Sequence, residues 1–174
     1  GKVGIPDYVL LKPGKLTPEE FAVMKGHAMI GEDALGESIQ QVLAARAVRA
    51  LRGDGDFSGS ALDFLEVARQ IAGGHHEKWN GAGYPLGLQG GAIPLPARLM
   101  AVADVFDALI SRRHYKEPYP DEQVMQIMRD GRGQHFDPDV ADAFLQNVSK
   151  FAEIAQRYRD DHAEEQAAEH GAKA

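Results

Sequence analysis

Residues 97–110 read ARLMAVADVFDALI, and this stretch decides the fold class. Leu99, Val102, Phe106 and Leu109 recur at three- and four-residue spacing, which predicts an α-helix with one stripe turned to a core. Ala97, Ala101, Asp104 and Ala108 share a second face of the same helix. An aspartate among alanines on such a face is expected to point inward. A buried carboxylate is costly unless it pairs or holds a metal, so Asp104 is a candidate for chemistry as well as for structure.

The same helical punctuation extends in both directions. Thr17-Pro18-Glu19-Glu20 is a capping box with proline at the first helical position, predicting a helix through about Ala34. Glu20, Met24, His27 and Gly31 fall on one stripe of it. A second helix is predicted from Ile39 to Leu51, ending at RGDGDFSGS (52–60). Ser60 is expected to cap a third, whose Phe64, Ala68 and Ile71 lead by helical spacing to His75. The segment from Trp79 to Pro96 is rich in glycine and proline and reads as loop. Beyond the helix of 97–110, SRRHYKEPYP (111–120) is a break. Asp121 is expected to cap a fifth helix to Arg129, and HFDP (135–138) precedes a sixth from Asp137 to about Arg159. No strand pattern and no internal repeat appears. The prediction is an all-α, compact multi-helix domain over residues 1–160, followed by a polar tail at 161–174.

Composition narrows the function classes. The chain has 174 residues and no cysteine, so disulfide frameworks and thiolate metal sites are excluded and a metal would need His, Asp, Glu or water. Acids outnumber bases 26 to 19, for a formal charge of −7, which argues against a nucleic-acid polymer as partner. A small anion would need a local gathering of Lys and Arg. No apolar run is long enough to span a bilayer and no signal peptide is visible, so a cytoplasmic location is expected.

HHEKWNGAGYP (75–85) places two imidazoles side by side ahead of a turn-rich loop. Adjacent helical residues point about 100° apart, so His75 and His76 read either as a helix end with one ring buried or as ligands to neighbouring ions. His27 is either a satisfied core histidine or a third ligand. Three histidines and one aspartate on inward faces suit a nitrogen/oxygen metal site. Lys2, Arg113 and Lys116 are the candidate anion binders, Arg for bidentate phosphate contact and Lys as a point charge. Arg46, Arg49 and Arg52, three residues apart, read as an exposed helix face.

GKVGIPDYVLLKPGKLTPEE (1–20), MKGHAMIG (24–31), the segment HHEKWNGAGYPLGLQGGAIPLPARLMAVADVFDAL (75–109), SRRHYK (111–116) and GQHFDPDV (133–140) together resemble the HD-GYP family, a branch of the HD metal-dependent phosphohydrolases that hydrolyses cyclic di-GMP. The resemblance runs from Gly1 to about Leu145. It implies that His27, His75, His76 and Asp104 ligate two or three divalent ions, iron or manganese, with the paired histidines on different ions. It also implies that Lys2, with Asp104, belongs to the catalytic set, and that Lys2, Tyr84 of the GYP loop, Arg113 and Lys116 meet the substrate. A hydroxide bridging two ions would attack phosphorus, giving linear pGpG and, in some members, GMP.

Two departures accompany the resemblance. The family's HDxGK motif enters this sequence only at Gly1-Lys2. The chain is therefore expected to be a C-terminal part of a longer protein, without the motif's His and Asp, and inactive in isolation. Asn80 stands where many members carry Asp. The parent is expected to carry an N-terminal regulatory domain, such as the receiver of a response regulator, and a homodimer fits the class. A second reading is a degenerate cyclic di-GMP sensor or a protein-docking module, for example for diguanylate cyclases, using Trp79 and Tyr84 as an exposed surface. A third, an HD phosphohydrolase acting on other nucleotides, is weakened by the GYP and SRRHYK segments.

Overall fold

A computed structural model describes residues 1–52, 60–111 and 118–158. It is all-α, as the periodicity of 97–110 predicts. After a 3₁₀ turn at Lys2–Gly4, the helices are α1 (Asp7–Leu10), α2 (Pro18–Lys25), α3 (His27–Leu51), α4 (Ser60–Gly74), α5 (Leu95–Ile110), α6 (Asp121–Asp130) and α7 (Pro138–Gln146). A further helical run covers 148–158. Among the described residues there is no strand, and only two isolated bridges, Asn80 with Gln89 and Arg132 with Phe136, tie loops together.

The capping box at Thr17 forms in full. Its hydroxyl accepts from the Glu20 N–H at 3.2 Å, and the Glu20 carboxylate accepts from the Thr17 N–H at 2.7 Å. Lys12 adds an ion pair to the same carboxylate. The helix it opens is shorter than expected, because the chain tightens into an i→i+3 bond at Gly26, whose N–H donates to the Val23 carbonyl. From His27 the chain then runs as one helix to Leu51, where a break before Ile39 had been expected. Ser38, a residue that favours turns, is accommodated there by donating to the Ala34 carbonyl at 2.9 Å, the back-bond that lets serine sit inside a helix.

α3 and α4 pack antiparallel, with Gly31 against Ala72 and Glu32 ion-paired to Arg69. α4 meets α5 where a side chain on Gly74 would lie only 2.7 Å from the Ala97 Cβ. That close approach is why the alanine face of α5 is buried at Ala97 and Ala101.

The other face of α5 forms the main core. Val102, Phe106 and Leu109 pack with Val124 and Met128 of α6, Phe136, and Val140 and Phe144 of α7. Leu99 and Phe64, both expected inside, are exposed. Asp121 is the first helical residue of α6 instead of its cap, which is Pro120. The predicted sixth helix is broken at Asn147, whose side chain donates to the Ala143 carbonyl at 2.9 Å. Asp137 caps α7, accepting from the Asp139 N–H at 2.8 Å, and also binds Arg98 of α5 at 2.7 Å. This buried carboxylate pins α7 to α5.

Candidate metal centre

His27 opens α3, and His75 and His76 follow directly on the last residue of α4. The antiparallel pairing of these helices brings the three rings together. The His27 Nε2 lies 3.4 Å from the His75 Nε2 and 3.2 Å from the His76 Nε2, and ring nitrogens of all three lie within 4.8 Å of one another. The pair does not diverge by the helical 100°, because both residues sit in the turn after Gly74. Their rings are tilted by 38° at 4.0 Å, and both turn towards His27.

The outer ring nitrogens show what the cluster suits. The Nδ1 of His27 lies 2.7 Å from the Met24 carbonyl, and the Nδ1 of His75 lies 2.9 Å from the Ile71 carbonyl and 3.0 Å from that of Ala72. A carbonyl only accepts, so each Nδ1 carries the proton and each Nε2 of a neutral ring presents a bare lone pair. Two lone pairs facing each other at 3.4 Å repel unless a cation lies between them. A metal with nitrogen ligands at about 2.0–2.1 Å in tetrahedral array separates those nitrogens by about 3.3 Å. The observed spacings fit, and carbonyl acceptors behind metal-ligating imidazoles are the usual orienting partners.

Burial favours the neutral form of His76 and His27. Burial, with the nearby His75 and His27 rings adding to it, lowers His76 to about 4, against a smaller upward pull from Asp104. Burial also lowers His27, opposed by its bond to Met24.

The GYP loop closes over this cluster. Tyr84 stacks on His76 at 4.7 Å and 29°, and its N–H donates to the His76 carbonyl at 3.2 Å. Burial, then the Asp104 charge, raises the Tyr84 phenol to about 12. Tyr84 and Trp79 are both partly buried, which corrects the expectation of an exposed aromatic surface.

The loop is held from beneath by Glu77, only 2% exposed. Its carboxylate accepts from the N–H groups of Leu86, Gly87 and Leu88 at 2.7, 3.1 and 3.0 Å. Gly83 passes so close to the Glu77 backbone that no side chain fits there. Asn80 accepts from the Ala82 N–H at 2.9 Å, a contact that an aspartate would make equally well.

Asp104 is exposed, not buried as the alanine face suggested. It lies one turn past Ala101, beyond the contact with Gly74, and its charge acts on His76, Tyr84 and His135. It therefore stands at the rim of the cluster, outside the three-ring group. Lys2 is exposed, and its charge acts on His27 and His76. Arg113 and Lys116 lie outside the described residues, as do the tail at 161–174 and most of the RGDGDFSGS segment.

Sequence reading missed Glu77 and His135. His135 is brought under the loop by its carbonyl, which accepts from the Trp79 N–H at 3.0 Å. Burial and the Lys78 charge lower it to about 4. Its only sequence signal was its place in GQHFDPDV.

The described residues thus form an all-α domain in which three histidines lie close enough to hold a metal ion, two of them backed by carbonyls. Residues 1–140 match the HD domain family, and the chain belongs to it, in the HD-GYP branch that the paired histidines and GYP loop mark out. HD-domain phosphohydrolases are metal-dependent.

The chain is 52% identical over 160 residues to a cyclic di-GMP phosphodiesterase of Vibrio cholerae, an alignment covering 92% of this chain and 29% of that protein. It is 43% identical over 158 residues to the cyclic di-GMP phosphodiesterase response regulator RpfG of Xanthomonas campestris, covering 91% and 36%. It is 39% identical over 154 residues to a 3′3′-cGAMP-specific phosphodiesterase of V. cholerae, covering 88% and 25%. The chain thus spans about a third or less of the first of these relatives. Among the described residues no helix is long and apolar enough to cross a membrane.

Proposed function

We propose that this domain hydrolyses cyclic di-GMP to linear pGpG at a metal centre held by His27, His75, His76 and Asp104. The observation that carries the reading is the convergence of three histidine Nε2 atoms, His27 lying 3.4 Å from His75 and 3.2 Å from His76, with the lone pairs of His27 and His75 facing each other. Iron or manganese, two or three ions, suits a ligand set of imidazole and carboxylate. The bound metal would supply a water of lowered pKa and a Lewis acid for a phosphate oxygen. The chain's own groups do the rest. His27 and His75 are held in the ligating tautomer by the Met24, Ile71 and Ala72 carbonyls, and Asp104, whose charge acts on His76, is the further ligand proposed.

Lys2, Arg113 and Lys116 neutralise phosphate charge as it develops, and Tyr84, stacked on His76, borders the substrate. The net charge of −7 does not prevent this, because cations gather locally. Lys2 acts on His27 and His76, Lys25 lies 5.8 Å from the Tyr84 ring, and Lys78 acts on His135.

The His and Asp of the family motif are proposed to come from residues ahead of Gly1. Gly1 lies against the His27 carbonyl, so residues joined there would enter beside the cluster.

The test is chromatographic detection of pGpG from cyclic di-GMP with Mn²⁺. It is run on the 174-residue chain and on a version extended before Gly1 through a His-Asp pair. Turnover is expected to rise sharply in the extended chain and to vanish in His76→Ala. A metal-loaded extended chain that leaves cyclic di-GMP intact would overturn the proposal.

A further inference from the structure

We infer that Phe21 and Lys25, on the face of α2 beside the GYP loop, form a platform that binds one purine base of the dinucleotide, with guanine preferred over adenine. The inference rests on the proposed cyclic-dinucleotide reading and names two residues that lie outside the metal cluster and to which the resemblance assigns no role.

The capping box fixes how α2 starts. Phe21 is its fourth residue, and its N–H donates to the Thr17 carbonyl at 2.8 Å. Phe21 and Lys25 are one turn apart and therefore on one face. That face looks onto Tyr84. The Phe21 ring stands edge-on to the Tyr84 ring at 6.2 Å and 84°, and Tyr84 in turn stacks on the ligand His76 at 4.7 Å. The Lys25 ammonium lies 5.6 Å from the Phe21 ring centre and 5.8 Å from that of Tyr84.

Phe21 is nevertheless 46% exposed. A phenyl ring needed only to prop Tyr84 would bury its faces, whereas this one leaves much of its surface to solvent, two rings out from the metal nitrogens. A half-exposed aromatic ring with an ammonium over one face and the rest open to solvent, beside the proposed phosphate-binding lysine, has the parts that bind a nucleobase. The base stacks on the ring and the ammonium meets a base acceptor. Guanine offers O6 and N7 as adjacent acceptors, while adenine sets an amino donor beside N7. Lys25 only donates, so guanine is favoured.

The experiment is calorimetric binding of GMP, AMP and ribose 5-phosphate to the chain in the presence of Mn²⁺. The three ligands share a phosphate monoester and differ in the base. GMP is expected to bind about tenfold or more tighter than ribose 5-phosphate, and that advantage should fall towards unity in Phe21→Ala. Phe21→Trp should restore it, which separates loss of stacking from loss of folding. Lys25→Gln should lower the preference for GMP over AMP while keeping the advantage of both over ribose 5-phosphate.

Equal binding of all three ligands, or an undiminished GMP advantage in Phe21→Ala, would overturn the platform even if cyclic di-GMP is hydrolysed. A base preference that tracks Phe21 and Lys25, in a chain whose extended form leaves cyclic di-GMP intact, would support the platform and place the failure in the hydrolytic reading.

Discussion

Replacing Glu77 tests how the loop over the metal cluster is held. Its carboxylate is 2% exposed and accepts three backbone N–H bonds at 2.7–3.1 Å. Hydrogen bonds to a charged group contribute roughly 1.5–3 kcal/mol each, so three set a ceiling of about 5–9 kcal/mol. Leu86 and Gly87 are exposed, so their freed N–H groups can turn to water, and about 4 kcal/mol is expected for Glu77→Ala. Glu77→Gln keeps one oxygen for Leu86 and Gly87 but sets an amide NH₂ against the Leu88 N–H. One bond lost and two donors opposed predicts about 2 kcal/mol. Urea unfolding of both variants gives the stability loss. Hydrogen exchange at Leu86, Gly87 and Leu88, with emission from the single tryptophan, Trp79, reports the loop directly. A loss under about 1 kcal/mol for Glu77→Ala, with those three amides still protected, would refute the clamp.

Three further outcomes follow from the packing and the charges. Asp137 is 5% exposed, caps α7 and binds Arg98, so Asp137→Ala should cost about 3 kcal/mol by urea unfolding, the lower range for breaking a buried pair. Asp137→Asn, which keeps the cap, should cost clearly less, and equal losses would contradict the ion pair's role. Gly74→Val puts methyl groups where even a Cβ lies 2.7 Å from Ala97. It should destabilise by roughly 1–3 kcal/mol and weaken Mn²⁺ binding by displacing His75 and His76, whereas wild-type metal affinity would show that the helix contact does not place the histidines. His76 and His135 sit at about 4 in the folded chain against about 6.5 unfolded. The unfolded chain therefore binds more protons between those values, and the metal-free protein should lose stability as pH falls from about 6.5 to 4. Glu66, held at about 2 by Arg69, adds its own loss only at lower pH. A urea midpoint that stays flat or rises between about pH 6.5 and 4.5 would contradict the lowered values of His76 and His135.

The fold class was legible because helical periodicity is a local property. Residues 97–110 and the Thr17 capping box carry their own period and caps, and His27 followed from its stripe with Met24. The convergence of His75 and His76 was not legible from spacing. The helix ends at Gly74, and only the packing of α3 on α4 turns both rings towards His27. Asp104 misled for a related reason. Its small-residue neighbours are buried by the close approach at Gly74, and that contact stops before Asp104 is reached. Glu77 and His135 lie in irregular segments, and their partners, the N–H groups of 86–88 and the backbone of Trp79, are defined only once the loop closes. Ser38 shows the limit from the other side, since a residue that usually marks a turn was absorbed by a back-bond inside α3.

The most direct measurement is the divalent metal content and affinity of the chain, by elemental analysis and Mn²⁺ titration, beside His27→Ala, His75→Ala and His76→Ala. If the three Nε2 atoms share an ion, the unchanged chain binds metal and each alanine weakens binding by about 100-fold or more, at least what loss of an orienting partner costs. A chain that takes up no metal, or alanine variants that bind as tightly as the original, would contradict the metal centre on which the proposed hydrolysis depends.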